Sequence, residues 1–343
     1  MGKTAIRKID TSAGITIQTM TTTKTHDVDA TVAQIKRLEA VGCDIVRVAV
    51  PDMASADAVK EIKENITIPL VADVHFDYRL ALRAIERGAD KIRINPGNIG
   101  SVDNVKNIAD ACNRKNIPIR IGVNSGSLEK ALLEKHGGVT AEAMAESVLG
   151  HIKLLNRFDF DNIWLSAKTS NTNLTVKTYR LLHEQTNYPL HIGVTEAGTE
   201  YYGTIKSAVG IGALLLDKIG NTIRVSLTAE PEREIAAAKA ILKTLGMRPG
   251  VDIISCPTCG RCNIELKKIA QEVEAKLEER AAQFPNGITV AVMGCVVNGP
   301  GEASHADYGI AGGDGVGVIF AKGKIVKQLP MDKLAEELLR IIL

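Results

Sequence analysis

Short runs of β-branched and aliphatic residues alternate along this chain with longer stretches in which apolar positions recur every three or four residues. A brief apolar run bounded by turn formers reads as a buried strand, and the longer period reads as one face of a helix. Eight strand candidates stand at 15–19, 45–49, 70–72, 91–94, 119–123, 163–167, 190–194 and 223–227. Helix candidates follow them at 30–40, 55–64, 78–87, 102–115, 141–158, 176–184, 205–216 and 232–245. Ser101, Thr140 and Thr175 are placed to cap helices, and Pro231 suits a first helical turn. Strand and helix in alternation, with right-handed crossovers, predict a parallel sheet. Eight such units in about 245 residues have the size of a closed (β/α)8 TIM-type barrel. An open doubly wound sheet is the alternative, against which stands the absence of Gly-x-Gly-x-x-Gly at the first helix.

After the eighth helix, Leu245-Gly246-Met247-Arg248-Pro249-Gly250 breaks the period and reads as a linker. The expected domains are a barrel at 1–248 and a small α+β domain at 249–343. The second should contain a strand at 252–255, a long helix at 262–283, a strand at 287–293 and a Gly-rich turn. Strands at 308–311, 317–321 and 324–328 and a helix at 331–343 complete it.

Composition changes this picture little. At 343 residues, 45% apolar and 24% charged, the chain has the profile of an ordinary soluble globular protein. Basic and acidic residues number 42 and 40, which gives no electrostatic reason to expect nucleic acid or a membrane as partner. Aromatics at 3% are too few for base-stacking platforms. No apolar run spans a bilayer and no signal-peptide core is present, so a cytoplasmic protein is expected.

The chemistry concentrates at the C-terminal ends of the eight strands, the rim where barrel active sites are built. In order these ends carry Gln18 and Met20, Arg47, Asp73 with His75, Arg93 with Asn95, Arg120 with Asn124, Lys168, Glu196, and Arg224 with Ser226. Any one of these arginines reads better as half of a salt bridge than as a ligand contact, and His75 as a cap or a partner of Asp73. Together, four arginines, a lysine and a histidine on one face call for a polyanion. A diphosphate fits best, because guanidinium forks bind phosphate oxygens in pairs. The loops Asn95-Pro96-Gly97-Asn98-Ile99-Gly100 and Gly122-Val123-Asn124-Ser125-Gly126-Ser127 offer backbone N–H groups to the same end.

Four of the six cysteines lie in the second domain. Cys256, Cys259 and Cys262 repeat every third residue, and Cys295 follows about 33 residues later in a Gly-rich turn. Zinc sites and iron–sulfur clusters both use such spacing, so spacing alone leaves the metal open. Buried apolar thiols are the blander alternative. Cys43 and Cys112 are expected in the core.

Several motifs resemble those of the 4-hydroxy-3-methylbut-2-enyl diphosphate synthase family. They are Gln18-Thr19-Met20-Thr21, Val71-Ala72-Asp73-Val74-His75-Phe76-Asp77-Tyr78-Arg79, Arg93-Ile94-Asn95-Pro96-Gly97-Asn98-Ile99-Gly100, Thr195-Glu196-Ala197-Gly198, Arg224-Val225-Ser226-Leu227, Cys256-Pro257-Thr258-Cys259 and Gly294-Cys295-Val296-Val297-Asn298-Gly299-Pro300-Gly301-Glu302-Ala303. The resemblance covers essentially the whole chain, in order. It implies the two-domain bacterial form and a [4Fe-4S] cluster held by Cys256, Cys259, Cys295 and Glu302. The implied reaction is reductive ring opening of 2-C-methyl-D-erythritol 2,4-cyclodiphosphate in the non-mevalonate isoprenoid pathway, with electrons from flavodoxin or ferredoxin. It further implies a homodimer in which the cluster domain of one chain closes over the barrel rim of the other.

On this reading Arg47, His75, Arg93, Asn95, Arg120, Asn124, Lys168, Arg224 and Ser226 hold the cyclic diphosphate, and Glu196 delivers a proton to the departing oxygen. An ion pair of Glu196 with Lys168 or Arg224 is the alternative for that residue. Spacing alone would select Cys256, Cys259, Cys262 and Cys295 as four thiolate ligands. The family has a non-cysteine residue at the position of Cys262, which leaves the fourth place to Glu302. A carboxylate is a harder, more displaceable ligand than thiolate and suits an iron that must open to substrate. Asn221 stands where related sequences often carry Asp, and loss of that charge beside the rim is expected to bear on an arginine's pairing. A zinc-stabilised phosphosugar- or pterin-binding barrel and a non-enzymatic scaffold are the rival classes.

Overall fold

A computed structural model describes residues 14–260, 262, 264–295, 301, 303–313 and 315–343. Two units divide the chain, Met1–Leu242 and Lys243–Leu343. The first is built on eight parallel strands: β1 (Thr16–Met20), β2 (Ile45–Ala49), β3 (Leu70–Asp73), β4 (Lys91–Ile94), β5 (Ile119–Asn124), β6 (Ile163–Lys168), β7 (His191–Ile192) and β8 (Thr222–Ile223). They are hydrogen-bonded in the order β6-β5-β4-β3-β2-β1-β8-β7. A parallel bridge between Leu165 and Leu190 joins the two ends, so the sheet closes into a barrel.

The helices of this unit are α1 (Val28–Ala40), α2 (Met53–Glu64), α3 (Tyr78–Glu86), α4 (Val102–Lys115), α5 (Lys130–His136), α6 (Ala141–Asn156), α7 (Thr172–Gln185), α8 (Glu200–Leu216) and α9 (Pro231–Thr244). Ser101 and Thr140 cap α4 and α6 through their hydroxyls, as expected. Thr175 does not cap α7. Asn171 does, accepting from the Leu174 N–H, while the Thr175 hydroxyl is turned inward onto the Thr169 backbone. Asx side chains cap at least as well as threonine, so the helix starts a turn earlier. The polar segment of α5 carries no apolar period and was not among the expected helices.

Strands β7 and β8 are shorter than their apolar runs. Gly193, at φ +152°, ends β7, and a Cβ there would lie 2.2 Å from the Arg224 carbonyl oxygen. The chain thus leaves the ladder where the glycine lets it pass close to its neighbour. Cys43 and Cys112 are buried in the core, and burial pushes the Cys43 thiol up to about 12.

The second unit is a five-stranded sheet of β9 (Val251–Ser255), β10 (Ile288–Met293), β11 (Tyr308–Ala311), β12 (Val316–Ala321) and β13 (Lys324–Pro330), in the order β13-β12-β11-β10-β9. The first three strands are parallel and the last two antiparallel. Helices α10 (Leu266–Glu278) and α11 (Leu334–Ile342) bury Leu266, Val273, Leu277, Leu334 and Leu338 with Val251, Val290 and Ile310. The long helix expected at 262–283 is therefore shorter at both ends. The helix begins only at Leu266, and Ala281–Gln283 forms a separate 3-10 turn. Among the described residues no helix is long and apolar enough to cross a membrane.

Candidate functional site

Two buried carboxylates organise the cationic residues of the barrel rim. Asp73, the last residue of β3, accepts from Arg93 Nη1 at 3.0 Å and lies 3.4 Å from Arg47 Nε. His75 Nε2 is 3.6 Å from the same carboxylate, its side chain half exposed. Burial alone would raise the Asp73 carboxyl, but Arg47 and Arg93 together hold it far below the usual carboxylate range. Burial pushes the Arg47 guanidinium down to about 10, with Asp73 opposing, and Arg47 Nε also meets Met20 Sδ at 3.3 Å. The second carboxylate, Glu234 on α9, lies 3.3 Å from Arg224 Nε and 3.4 Å from Nη2.

Arg120 has no such partner. It is the second residue of β5, well below the strand's end, where the sequence reading had placed it. Its guanidinium is fully buried, and Nε and Nη2 meet no hydrogen-bond acceptor. Burial and the nearby Arg47 and Arg93 charges push it well below its ordinary value. Lys168, buried at the end of β6, reaches only the Ile192 carbonyl, at 3.4 Å, and is pushed down by burial and by Arg120 and Arg224. Gly122 makes room for Arg93: a Cβ there would lie 2.2 Å from its Nε, and the Gly122 carbonyl accepts from Nη2 at 3.2 Å. Of the five cations in the barrel mouth, three thus pair with two carboxylates and two, Arg120 and Lys168, do not. An orphaned buried guanidinium is costly unless an anion completes it.

The rim loops brace one another. Asn95 Nδ2 donates to Ser127 Oγ at 3.1 Å, and its Oδ1 accepts from the Gly97 N–H. Ser127 Oγ also ties to the backbone of Asn124. Glu129, just beyond, accepts from Ser147 and lies 3.1 Å from His151 Nε2 on α6. Ser226 is half-buried after β8. Glu196 is exposed after β7 in left-handed backbone, φ +51°, and pairs with neither Lys168 nor Arg224.

Asn221 does not adjoin the rim. It precedes β8, at the opposite end of the strands, where its Oδ1 accepts from the Leu190 N–H at 2.9 Å and fastens β7 to β8. The sequence reading also passed over Glu234. Its signal is periodicity, because Pro231, Ile235, Ala238 and Leu242 form the buried stripe of α9 and Glu234 lies on it.

In the second unit, Cys256 and Cys262 flank Gly294. The Gly294 N–H donates to Cys256 Sγ at 3.3 Å, and a Cβ on Gly294 would lie 2.7 Å from Cys262 Sγ. Cys295 follows Gly294 directly in the chain and is half-buried, and Cys259 is exposed. A sulfur accepting a backbone N–H is how proteins hold and tune thiolate ligands. Thiols are of the donor type that an iron–sulfur group takes. Cys262, which like Cys256 packs on the core, is placed to donate its S–H to the Ile264 carbonyl at 3.3 Å, which a thiolate ligand could not do. Glu302 lies outside the described residues. Among those described, no three His, Cys, Asp or Glu side chains converge around one metal ion.

A family model described as the GcpE TIM-barrel domain matches residues 3–239, and one described as the GcpE protein C-terminal domain matches residues 252–343. The chain is 57% identical to "4-hydroxy-3-methylbut-2-en-1-yl diphosphate synthase (flavodoxin)" of Caldanaerobacter subterraneus subsp. tengcongensis, over 98% of this chain and 94% of that protein. The protein of the same name from Clostridium perfringens is 58% identical over 96% of this chain and 93% of its own length. Among solved structures, Yersinia pestis dihydropteroate synthase with a bound pterine-sulfa conjugate aligns with 69% of this chain and 95% of its own, at TM-score 0.50 and 10% identity. That likeness reflects the barrel fold alone. Both domains are matched in order and over half of the aligned positions are identical to those curated relatives, so the chain belongs to the GcpE family, the 4-hydroxy-3-methylbut-2-en-1-yl diphosphate synthases.

Proposed function

We propose that this protein takes 2-C-methyl-D-erythritol 2,4-cyclodiphosphate, adds two electrons, opens the ring at a carbon–oxygen bond and releases one hydroxyl as water. The observation that carries this reading is the cationic barrel mouth, where Arg120 is buried with two nitrogens lacking any acceptor. A diphosphate supplies acceptors of the right number and charge. Arg47, Arg93, Arg120, Lys168 and Arg224 hold its oxygens, His75 and Ser226 donate from the edge, and Asn95 and Asn124 set the flanking loops. Glu196 is exposed and unpaired with the nearby cations, so its carboxyl is free to carry the proton for the departing hydroxyl.

Cys256, Cys259 and Cys295, with Glu302, would hold a [4Fe-4S] cluster, which supplies electrons one at a time. Cys262 stays outside that set. Flavodoxin is the electron donor in this reading, the active form is a homodimer, and the reaction takes place in the cytoplasm.

Anaerobic reconstitution with iron and sulfide, followed by turnover of the cyclic diphosphate with a chemical reductant, tests the proposal. A brown, oxygen-sensitive protein that forms the linear diphosphate is expected. A colourless zinc protein, unaffected by air, would refute it. Glu196→Gln should lower kcat by about 10²–10⁴-fold with little change in KM, the usual span for loss of a general acid.

A further inference from the structure

We infer that Glu234 is a positioning residue for the substrate's diphosphate, acting through Arg224. The inference rests on the diphosphate reading of the rim.

Glu234 is 4% exposed on the first turn of α9 and makes four contacts with donors. Its Oε2 accepts from Thr19 Oγ1 at 2.5 Å and from Arg224 Nε at 3.3 Å. Its Oε1 accepts from the Leu227 N–H at 3.0 Å and from Arg224 Nη2 at 3.4 Å. One carboxylate therefore links β1, the segment after β8 and α9. It also fixes which edge of the Arg224 guanidinium faces the protein. With Nε and Nη2 turned to Glu234, the Nη1 side remains for an anion. A guanidinium held by a buried carboxylate loses little freedom on binding phosphate, and this pre-orders the fork.

Glutamine is nearly isosteric but offers one acceptor oxygen. Replacing either oxygen of Glu234 by an NH2 group turns a donor toward the guanidinium, and with it toward Thr19 or toward the Leu227 N–H. Arg224 then loses its orientation while the barrel's apolar packing is untouched. The effect must run through Arg224, so it should disappear when Arg224 is absent.

The test is a double-mutant cycle on the full-length, cluster-loaded protein, with inorganic pyrophosphate as probe in titration calorimetry and KM for the cyclic diphosphate as second readout. Glu234→Gln is expected to weaken pyrophosphate about tenfold and to raise KM similarly, with kcat little changed. In an Arg224→Met background it should add nothing further. Equal losses with and without Arg224 would mean that Glu234 merely supports the fold, and no loss in either would overturn the inference outright. Failure of the wild type to bind pyrophosphate would overturn the rim reading itself. Should Glu234→Gln not fold, Glu234→Asp decides. It keeps the charge but withdraws it from Arg224, and it must show the same Arg224-dependent loss or the inference falls.

Discussion

Asp73 shows how strongly single residues are committed to this site. Its side chain is 4% exposed and shared by Arg47 and Arg93, so its removal leaves two buried cations facing each other. Breaking a buried pair in this way costs about 3–5 kcal/mol. Asp73→Asn should therefore lower the chemical denaturation midpoint by that equivalent, and added pyrophosphate should restore part of it, as an anion takes the place of the lost charge. Glu129 gives a pH signature. The neighbouring His151 ring, 3.1 Å away, outweighs burial and, with the Ser147 hydroxyl, lowers its carboxyl to about 2 from the ordinary 4.5. A depressed carboxylate adds stability that is complete above its unfolded value and lost as pH falls through its folded one. The stability gap between wild type and Glu129→Gln should thus close between pH 4.5 and about 2, as followed by denaturation at each pH. The sequence displayed the rim cations because charge at the end of an apolar strand has no packing reason. It hid Glu234, because a glutamate in a first helical turn is commonplace and only its place on the buried stripe of α9 marks it. It misplaced Arg120, since the strand's first residues look alike whichever end of the side chain does the work.

Among the elements, β7 and β8 are the least regular part of the barrel wall, and Gly193 is the reason. A side chain there would strike the Arg224 carbonyl and come within 2.9 Å of Lys168 Nζ. Gly193→Ala should cost more than the 1–3 kcal/mol typical of overpacking, because backbone must move, and it should shift both Arg224 and Lys168. Gly198→Ala is the control. Its φ is +117°, but nothing lies within 4 Å of the added carbon, so only backbone strain of about 1–3 kcal/mol applies. Thermal melts of the two variants side by side separate the terms. Periodicity alone located every barrel strand, since buried parallel strands are short apolar runs between turn formers. It could not show where a ladder stops, which depends on how closely a neighbouring strand approaches. The start of α7 was hidden for a similar reason: Asn171 and Thr175 are both acceptable caps, and tertiary contacts of the Thr175 hydroxyl decided between them.

For the molecule as a whole, the outer face of α8 is an exposed apolar surface among the described residues. From Ser207 to Leu216 the helix carries no charge, while its neighbours α7 and α9 present Lys177, Arg180, Glu232 and Arg233 outward. Tyr202, Val209 and Leu216 are 66%, 59% and 71% exposed, with Ile205 beside them, and they fall on one line down the helix. A helix apolar on all sides belongs in an interior, and such a stripe marks an interface. The stripe is its own complement. In an antiparallel pair about a two-fold axis at Val209, that residue meets its own copy, and Tyr202, two turns away, meets the partner's Leu216. The homodimer proposed above therefore has a surface to form on, uncharged from Ser207 to Leu216. Val209→Lys brings like charges together on the axis and should raise the dimer dissociation constant by at least about a hundredfold, since such contacts cost several kcal/mol. In sedimentation, the wild type should run at twice the 36.8 kDa chain mass and the variant at the chain mass, with unchanged circular dichroism. A variant that stayed dimeric would move the interface elsewhere on the barrel. A monomeric wild type would remove the dimer altogether.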